Sequence, residues 1–442
     1  MTQRPDHIGL AENPGRFGLR LHDGELCMEG VALSKVAEQL GTPTYAYSAS
    51  VIESRFDALR AAVGQRPTTI CYAVKANSSL AVLRLLARRG AGADIVSGGE
   101  LKRALMAGVP ASRIVFSGVG KTDVEIDAAI EAGVRSINLE SAEELEQVAA
   151  RARALGKVAA VSLRVNPDID PKTHPYLATG LQESKFGISM TNALPVARRA
   201  HADPSLELVG VGCHIGSQIT QVTPFVDSVA RLRTLIDTLA SEGVKLKQLD
   251  LGGGLGIGYR PDDPSVDLEA WGKAVQEATA DLELELVFEP GRWLVGNAGV
   301  LLTRILGRKT GETKAFVVVD AAMNDLIRPA LYQAYHVIAP LKWPQPGDPT
   351  EEVDVVGPVC ESGDFIALGR TLPVSRTGEV LAVLSAGAYA MTMASTYNTR
   401  PLVAEALVRG DSFDTIRPRQ TVEQLLAMEQ MPAWLEGDAK DG

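Results

Sequence analysis

Between residues 68 and 291 two patterns of apolar and polar positions alternate. Short runs rich in β-branched and other apolar residues lie at TTICYAVKA (68–76), GADIVSGG (92–99), RIVFSG (113–118), SINLE (136–140), AAVSLRVNP (159–167), LVGVGCHIGS (208–217), LKQLDLGGG (246–254) and ELELVFEPG (283–291). Most intervals between them place apolar residues at helical spacing, which predicts amphipathic helices. Ser141, with Glu144 three residues on, has the S-x-x-E spacing of a capping box, and the helix it opens is expected to run to Gly156. Thr122 and Glu125 repeat the device, with Gly133 at the far end. Parallel strands need a crossover, so alternating strand and helix predicts a parallel sheet. Eight such units predict an α/β chain closed into a (β/α)₈ barrel, with an open doubly wound sheet as the alternative.

After residue 300 the texture changes. AFVVVDAA (315–322), EEVDVVGPVC (351–360), DFIALG (364–369) and EVLAVLSAGAYA (379–390) are β-rich, and most of the intervals between them lack a comparable helix. The first 45 residues hold β-like pieces such as GELCMEGVAL. The expected division is an N-terminal segment 1–45 that is a candidate part of a β-domain, a barrel over 46–300, and a C-terminal β-domain over 301–442. The tail LEGDAKDG is expected to fray.

Charge and composition narrow the function. Of 442 residues, 44 are Lys or Arg and 54 are Asp or Glu, a formal charge of −10. That balance argues against nucleic acid as a partner, because phosphate backbones are bound by clustered Lys and Arg. No stretch approaches the roughly 18 uninterrupted apolar residues of a membrane span. MTQRPDHIGLAENPGRFG is too polar for a signal peptide. Cys27, Cys71, Cys213 and Cys360 form no C-x-x-C pair, which fits reduced cytoplasmic thiols and no metal site.

In a barrel, function collects at the C-terminal ends of the strands. Lys75 closes the first run, His214 the sixth, Gly252–Gly254 the seventh and Glu289 with Arg292 the eighth. Each has an ordinary reading: a solvated lysine, a hydrogen-bonded histidine, a tight turn, an ion pair. The glycine run is not a dinucleotide fingerprint, since position 257 of a G-x-G-x-x-G reading is Ile. Together at one end of one barrel they describe a cofactor site. A lysine amine forms a Schiff base with an aldehyde, glycine amides approach a phosphate, a carboxylate keeps a pyridine nitrogen protonated, and an imidazole stacks on a flat ring. Pyridoxal 5′-phosphate is the cofactor that needs all four.

The motifs YAVKAN (72–77), HPYLATGLQESKFGI (174–188), CHIGSQ (213–218), LDLGGGLG (249–256), EPGR (289–292), MNDLIRPALYQAYH (323–336), GPVCESGD (357–364) and GAYAMTMASTYNTRP (387–401) follow one another along most of the chain. In that order they closely resemble the diaminopimelate decarboxylases, within the alanine-racemase-like barrel class of pyridoxal-phosphate enzymes. The resemblance implies decarboxylation of meso-2,6-diaminopimelate to L-lysine and CO2, the last step of lysine biosynthesis. It implies Lys75 and Cys360 as catalytic residues. Cofactor contacts would come from Lys75, His214, Ser217, Gly253, Gly254, Glu289, Gly291, Arg292 and Tyr389, with Glu289 facing the pyridine nitrogen. Substrate contacts would come from Arg292, Arg328, Tyr332, Glu361 and Tyr389. It further implies a cytoplasmic homodimer with shared active sites. Cys360 would enter from the partner subunit as proton donor, with Lys75 as runner-up, and Glu361 would enter to meet the distal ammonium.

Two other readings follow from the same motifs. Another basic amino acid such as ornithine, lysine or arginine could be the substrate, but ornithine has no distal carboxylate for Arg328. A catalytically dead relative that binds a partner protein would carry damage at Lys75 or Cys360, and both are intact.

Overall fold

Eight short strands pair side by side and return to the first, so the sheet has no free ends. They are β1 (Thr68–Ala73), β2 (Gly92–Ile95), β3 (Ile114–Phe116), β4 (Ser136–Leu139), β5 (Ala159–Asn166), β6 (Leu206–Gly212), β7 (Gln248–Asp250) and β8 (Glu285–Phe288). Each pairs in parallel with the next, and β8 pairs with β1. This is the (β/α)₈ barrel that the alternation predicts, and the open sheet is excluded. The computed structural model describes residue 10 and residues 14–169, 185–345 and 347–436. The HPYLATGLQESKFGI motif therefore lies outside the described residues except at 185–188, as do the last six residues of the tail.

Seven crossover helices follow β1 to β7. Between β8 and the strand Gly299–Thr310 there is only the short helix Arg292–Val295 followed by the 3₁₀ turn Gly296–Ala298. The eighth place in the outer ring is taken from upstream: Ala49–Ala62, which precedes β1, packs against both Leu80–Arg88 and Leu268–Ala278. Thr122 caps Asp123–Ala132 with a complete capping box, and Gly133 ends that helix at a left-handed φ of 69°. Ser141 also accepts from the Glu144 N–H, but the helix ends at Ala154, and the Glu144 carboxylate turns instead to the Glu140 N–H and to Lys121. A buried lysine outbids the cap because its charge has no water to fall back on.

Within the barrel unit, Ser48–Ala298 with Gly387–Thr392, the interior is polar. Ser136 and Asn138 on β4, Ser162 on β5, and Gln248 and Asp250 on β7 alternate with apolar Ile137, Leu139, Leu163 and Leu249, and all are buried. A period of two sends one set inward and the other toward the helices.

The β unit comprises Tyr47 and the described residues before it, Gly299–Ala386, and the described residues from Met393 onward. Its larger sheet centres on the long strand Gly299–Thr310, which pairs antiparallel with Ala315–Val319, Val380–Val383 and Thr44–Ser48. Leu26, Met28, Leu33 and Val36 share one core with Val300, Leu302, Leu384 and Val408. The described residues of the N-terminal segment thus pack into the core of the β unit.

Lys121 tests how much the barrel depends on its buried charges. Its Nζ is 2.7 Å from Gly118 O, 2.9 Å from Asn138 O and 2.8 Å from Glu144 Oε1. Stranding a buried partner costs about 3–5 kcal/mol. By calorimetry, Lys121→Met should lower the melting temperature by roughly 6 °C or more. Lys273→Met, which breaks only an exposed pair with Glu277, should leave it nearly unchanged.

Candidate active site

Lys75 sits in the single 3₁₀ turn Val74–Ala76 directly after β1, at the C-terminal mouth. The turn is held from both sides. The Tyr72 hydroxyl donates to Asn77 O at 3.0 Å, and the Tyr389 N–H donates to Ala76 O at 2.8 Å. Lys75 Nζ lies 2.5 Å from Oδ2 of Asp94, a β2 residue with no exposed surface. Burial opposes the lysine's charge, but Asp94, with Tyr389 and Glu289, outweighs it and holds the amine's pKa above its usual value.

Below the lysine lies a second pair of acids. Asp250 closes β7 and accepts the Gly252 N–H at 2.8 Å, and Glu289 follows β8. Among the described residues no N–H or O–H reaches Glu289 Oε1 or Asp250 Oδ2. Buried together, the two carboxyls oppose each other's ionisation and favour protonation. Burial pushes Glu289 well up, reinforced by Asp250 and Asp94 against Lys75 and Arg164. Burial pushes Asp250 up as well, against the Gly252 N–H. A basic ring nitrogen placed at Glu289 Oε1 would take the proton and supply the missing partner. Arg164 on β5 lines the same cavity as both acids and pairs at 2.8 Å with Glu140, which also accepts the Gly118 and Gly187 N–H groups.

His214, half-buried after β6, accepts the Gly253 N–H on Nδ1 at 3.1 Å, so the ring's proton belongs on Nε2. Burial, Arg164 and Lys75 press its pKa well below the usual value and keep the ring neutral. Gly253 is required for close approach, since a Cβ there would lie 2.1 Å from Glu289 O. Gly254 has a φ of +105°, closed to most side chains. Gly291 leaves room for the Tyr389 hydroxyl, 3.3 Å from where its Cβ would stand. Arg292, 5 % exposed, donates to the Tyr259 hydroxyl at 2.5 Å and to Ser217 Oγ at 3.1 Å, and stacks on the Tyr389 ring at 4.8 Å. Tyr389 itself has a φ of 54°, an uncommon conformation for a non-glycine residue.

The barrel unit thus brings together Lys75, His214, Ser217, Gly253, Gly254, Glu289, Gly291, Arg292 and Tyr389. The remaining candidates belong to the β unit. Arg328 opens the short helix Arg328–Tyr332 and lies 2.9 Å from His336 Nε2, and Tyr332 is half-buried. Cys360 and Glu361 are exposed. The Cys360 N–H donates to Asn398 Oδ1 at 3.1 Å, and the Glu361 carboxylate near the Tyr397 hydroxyl raises that phenol's pKa. Asp364 accepts from Met323 N at 2.6 Å and Val359 N at 2.7 Å, tying the Cys360 loop to the segment before Arg328.

Asp94, Asp250, Arg164, Tyr259, His336, Asp364 and Tyr397 are not among the candidates read from the sequence, although Asp250, His336, Asp364 and Tyr397 lie inside the quoted motifs. A signal existed for three of them. Asp94, Arg164 and Asp250 are charged residues inside apolar runs that a parallel barrel buries on both faces. The others are ordinary polar residues with partners as far as 48 positions away in sequence.

The pyridoxal-binding-domain model of the pyridoxal-dependent decarboxylases matches residues 49–296. A diaminopimelate decarboxylase from Pseudomonas aeruginosa is 52 % identical over 409 residues, covering 92 % of this chain and 98 % of that one. The crystal structure of the M. jannaschii diaminopimelate decarboxylase in complex with L-lysine matches with a TM-score of 0.91 at 36 % identity, covering 95 % of this chain and 99 % of that one. The Helicobacter pylori enzyme, also complexed with L-lysine, matches with a TM-score of 0.86 at 39 % identity, covering 90 % and 98 %.

The two buried acids have a pH signature. Both acids titrate above their ordinary range when folded, so the folded chain binds more protons than the unfolded one. That stability is complete below about pH 4, the unfolded carboxylate range, and is lost as pH rises through the folded values. Asp250→Asn keeps an acceptor for the Gly252 N–H and removes the like charge. Its melting temperature without cofactor should gain on wild type progressively as pH rises from about 4 to 8. A difference that stays flat with pH would refute the raised titration of the two acids.

Proposed function

The chain belongs to the diaminopimelate decarboxylases, within the pyridoxal-dependent decarboxylases, and from that premise we propose the roles of its residues. The reaction is removal of carbon dioxide from meso-2,6-diaminopimelate to leave L-lysine, with pyridoxal 5′-phosphate as cofactor. The observation that carries the assignment is the meeting of a strand-end lysine with a buried carboxyl pair in one barrel mouth.

When bound, the cofactor's pyridinium ring takes up the electron pair left as carbon dioxide departs. Lys75 supplies the amine that would hold the cofactor, and Asp94 Oδ2 fixes that amine's position through their ion pair. Glu289 holds a proton toward the ring nitrogen, and Asp250 keeps that carboxyl from ionising on its own. His214 lays a neutral ring against the cofactor, oriented by the Gly253 N–H. Ser217, fixed by Arg292, receives the phosphate with Gly254 and Tyr389.

The non-reacting end of the substrate is a zwitterion, so it needs both a cation and an anion. Arg328, with Arg292 and Tyr332, takes its carboxylate, and Glu361 takes its ammonium. Cys360 returns a proton to the carbon that has lost its carboxylate. Cys360 and Glu361 serve the partner's site in a cytoplasmic homodimer that uses no nucleic acid. Their exposure on the chain's own surface supports this reading. Among the described residues no helix is long and apolar enough to cross a membrane.

Two experiments test these roles. Borohydride treatment of the holoenzyme should fix the cofactor on the peptide containing Lys75, and labelling of any other lysine would sink the assignment. Homodimers of Lys75→Ala and of Cys360→Ala should both be inactive. Mixing them should restore activity, because some exchanged dimers then carry one intact site. No recovery after verified subunit exchange would mean that each site is built from one chain.

A further inference from the structure

We propose that His336 is a positioning residue for Arg328, and through it sets the preference for a substrate whose non-reacting end carries a carboxylate. The inference rests on the assignment of Arg328 to that carboxylate.

His336 has no exposed surface, and hydrogen bonds engage both ring nitrogens. Nδ1 is 2.8 Å from Leu384 O, and a carbonyl only accepts, so Nδ1 carries the hydrogen. Nε2 is 2.9 Å from Arg328 Nη1, and a guanidinium only donates, so Nε2 is the acceptor. The two partners together admit one tautomer of the neutral ring. A protonated ring would turn a donor toward a cation.

The backbone brings these groups together. Arg328 opens its helix, Gln333 ends it at a left-handed φ of 51°, and the Ala334 N–H returns to Arg328 O. The chain then enters the strand Ile338–Pro340, which pairs with Val380–Val383. The Leu384 N–H bonds Val337 O, so the carbonyl that holds His336 is itself anchored to the ladder. Orientation passes from the paired strands to Leu384 O, to His336 and to the guanidinium. A carboxylate in place of His336 would orient Arg328 equally well, but it would compete with the substrate's carboxylate. An imidazole adds orientation without adding negative charge.

The test uses holoenzyme and two ligands, L-lysine, which carries the carboxylate, and pentane-1,5-diamine, which lacks it. Binding of each is titrated to wild type, His336→Asn, His336→Gln and Arg328→Ala, with melting temperature and cofactor absorbance recorded. An Asn amide can replace Nδ1 against Leu384 O but cannot reach Arg328, whereas a Gln oxygen can reach it. His336→Asn should weaken L-lysine by about tenfold, the scale of one hydrogen bond to a charged group, and leave the diamine and the absorbance unchanged. His336→Gln should recover part of the loss, and it is read alone if the Asn variant does not fold. Equal loss of both ligands, or a changed absorbance, would make His336 merely structural and overturn the proposal. Unchanged L-lysine binding in both His336 variants, with a selective loss in Arg328→Ala, would overturn the proposal and leave the role of Arg328 standing. No selectivity in Arg328→Ala would remove the role of Arg328 and the proposal with it.

Discussion

A carboxylate without exposed surface inside a barrel has to meet a cation, and Asp94 meets Lys75 Nζ at 2.5 Å. Much of the barrel site depends on this constraint. Asp94, Asp250 and Glu289 bring three acidic groups toward one mouth, with Lys75 and Arg164 as the cations that act on them. The imbalance is relieved by protonation, which burial and the neighbouring like charges favour at Asp250 and Glu289. Burial, reinforced by Arg164 and Lys75, keeps His214 neutral. Burial and these neighbouring charges together set the protonation of an acid pair and an imidazole. The low local dielectric that makes this arrangement costly also makes each group responsive to the next.

The second constraint is backbone proximity. Glu289 N donates to Gly252 O at 2.7 Å, and the Glu289 carbonyl occupies the space where a side chain on residue 253 would begin. The glycine run therefore lets the β7 and β8 ends close together while the Gly253 N–H turns to His214. In this arrangement glycine serves the imidazole as directly as it would serve a phosphate. Arg292, held by Tyr259 and Ser217, likewise works first on its protein neighbours.

In the β unit, positions are fixed by buried acceptors that touch no candidate site residue's side chain. Asp364 accepts from the backbone on both sides of its loop contact, at Met323 and Val359. Leu384 O reaches Arg328 only through His336. Such residues place charged side chains within a narrow range while leaving their charge available to a ligand.

The barrel was legible because its eight apolar runs and intervening helical faces repeat at two distinct periods, and those periods follow from local geometry. Lys75, His214, the glycines and Glu289 could be read because motifs at strand ends mark the mouth of any such barrel. The N-terminal segment was legible as β-like, but its pairing with Gly299–Thr310 was not, since register is decided by partners some 250 residues away. Asp94, Asp250 and Arg164 were missed because a charged residue within an apolar run reads as an interruption until closure shows which face it points to. The substitution of Ala49–Ala62 for an eighth crossover helix could not be read either, because sequence order does not show that a ring may be filled from upstream. The sequence by itself determined the element order and the residues able to do chemistry, through propensity and spacing. Only the tertiary structure decided which of them shift one another's ionisation, because charge coupling depends on distance and burial rather than on position along the chain.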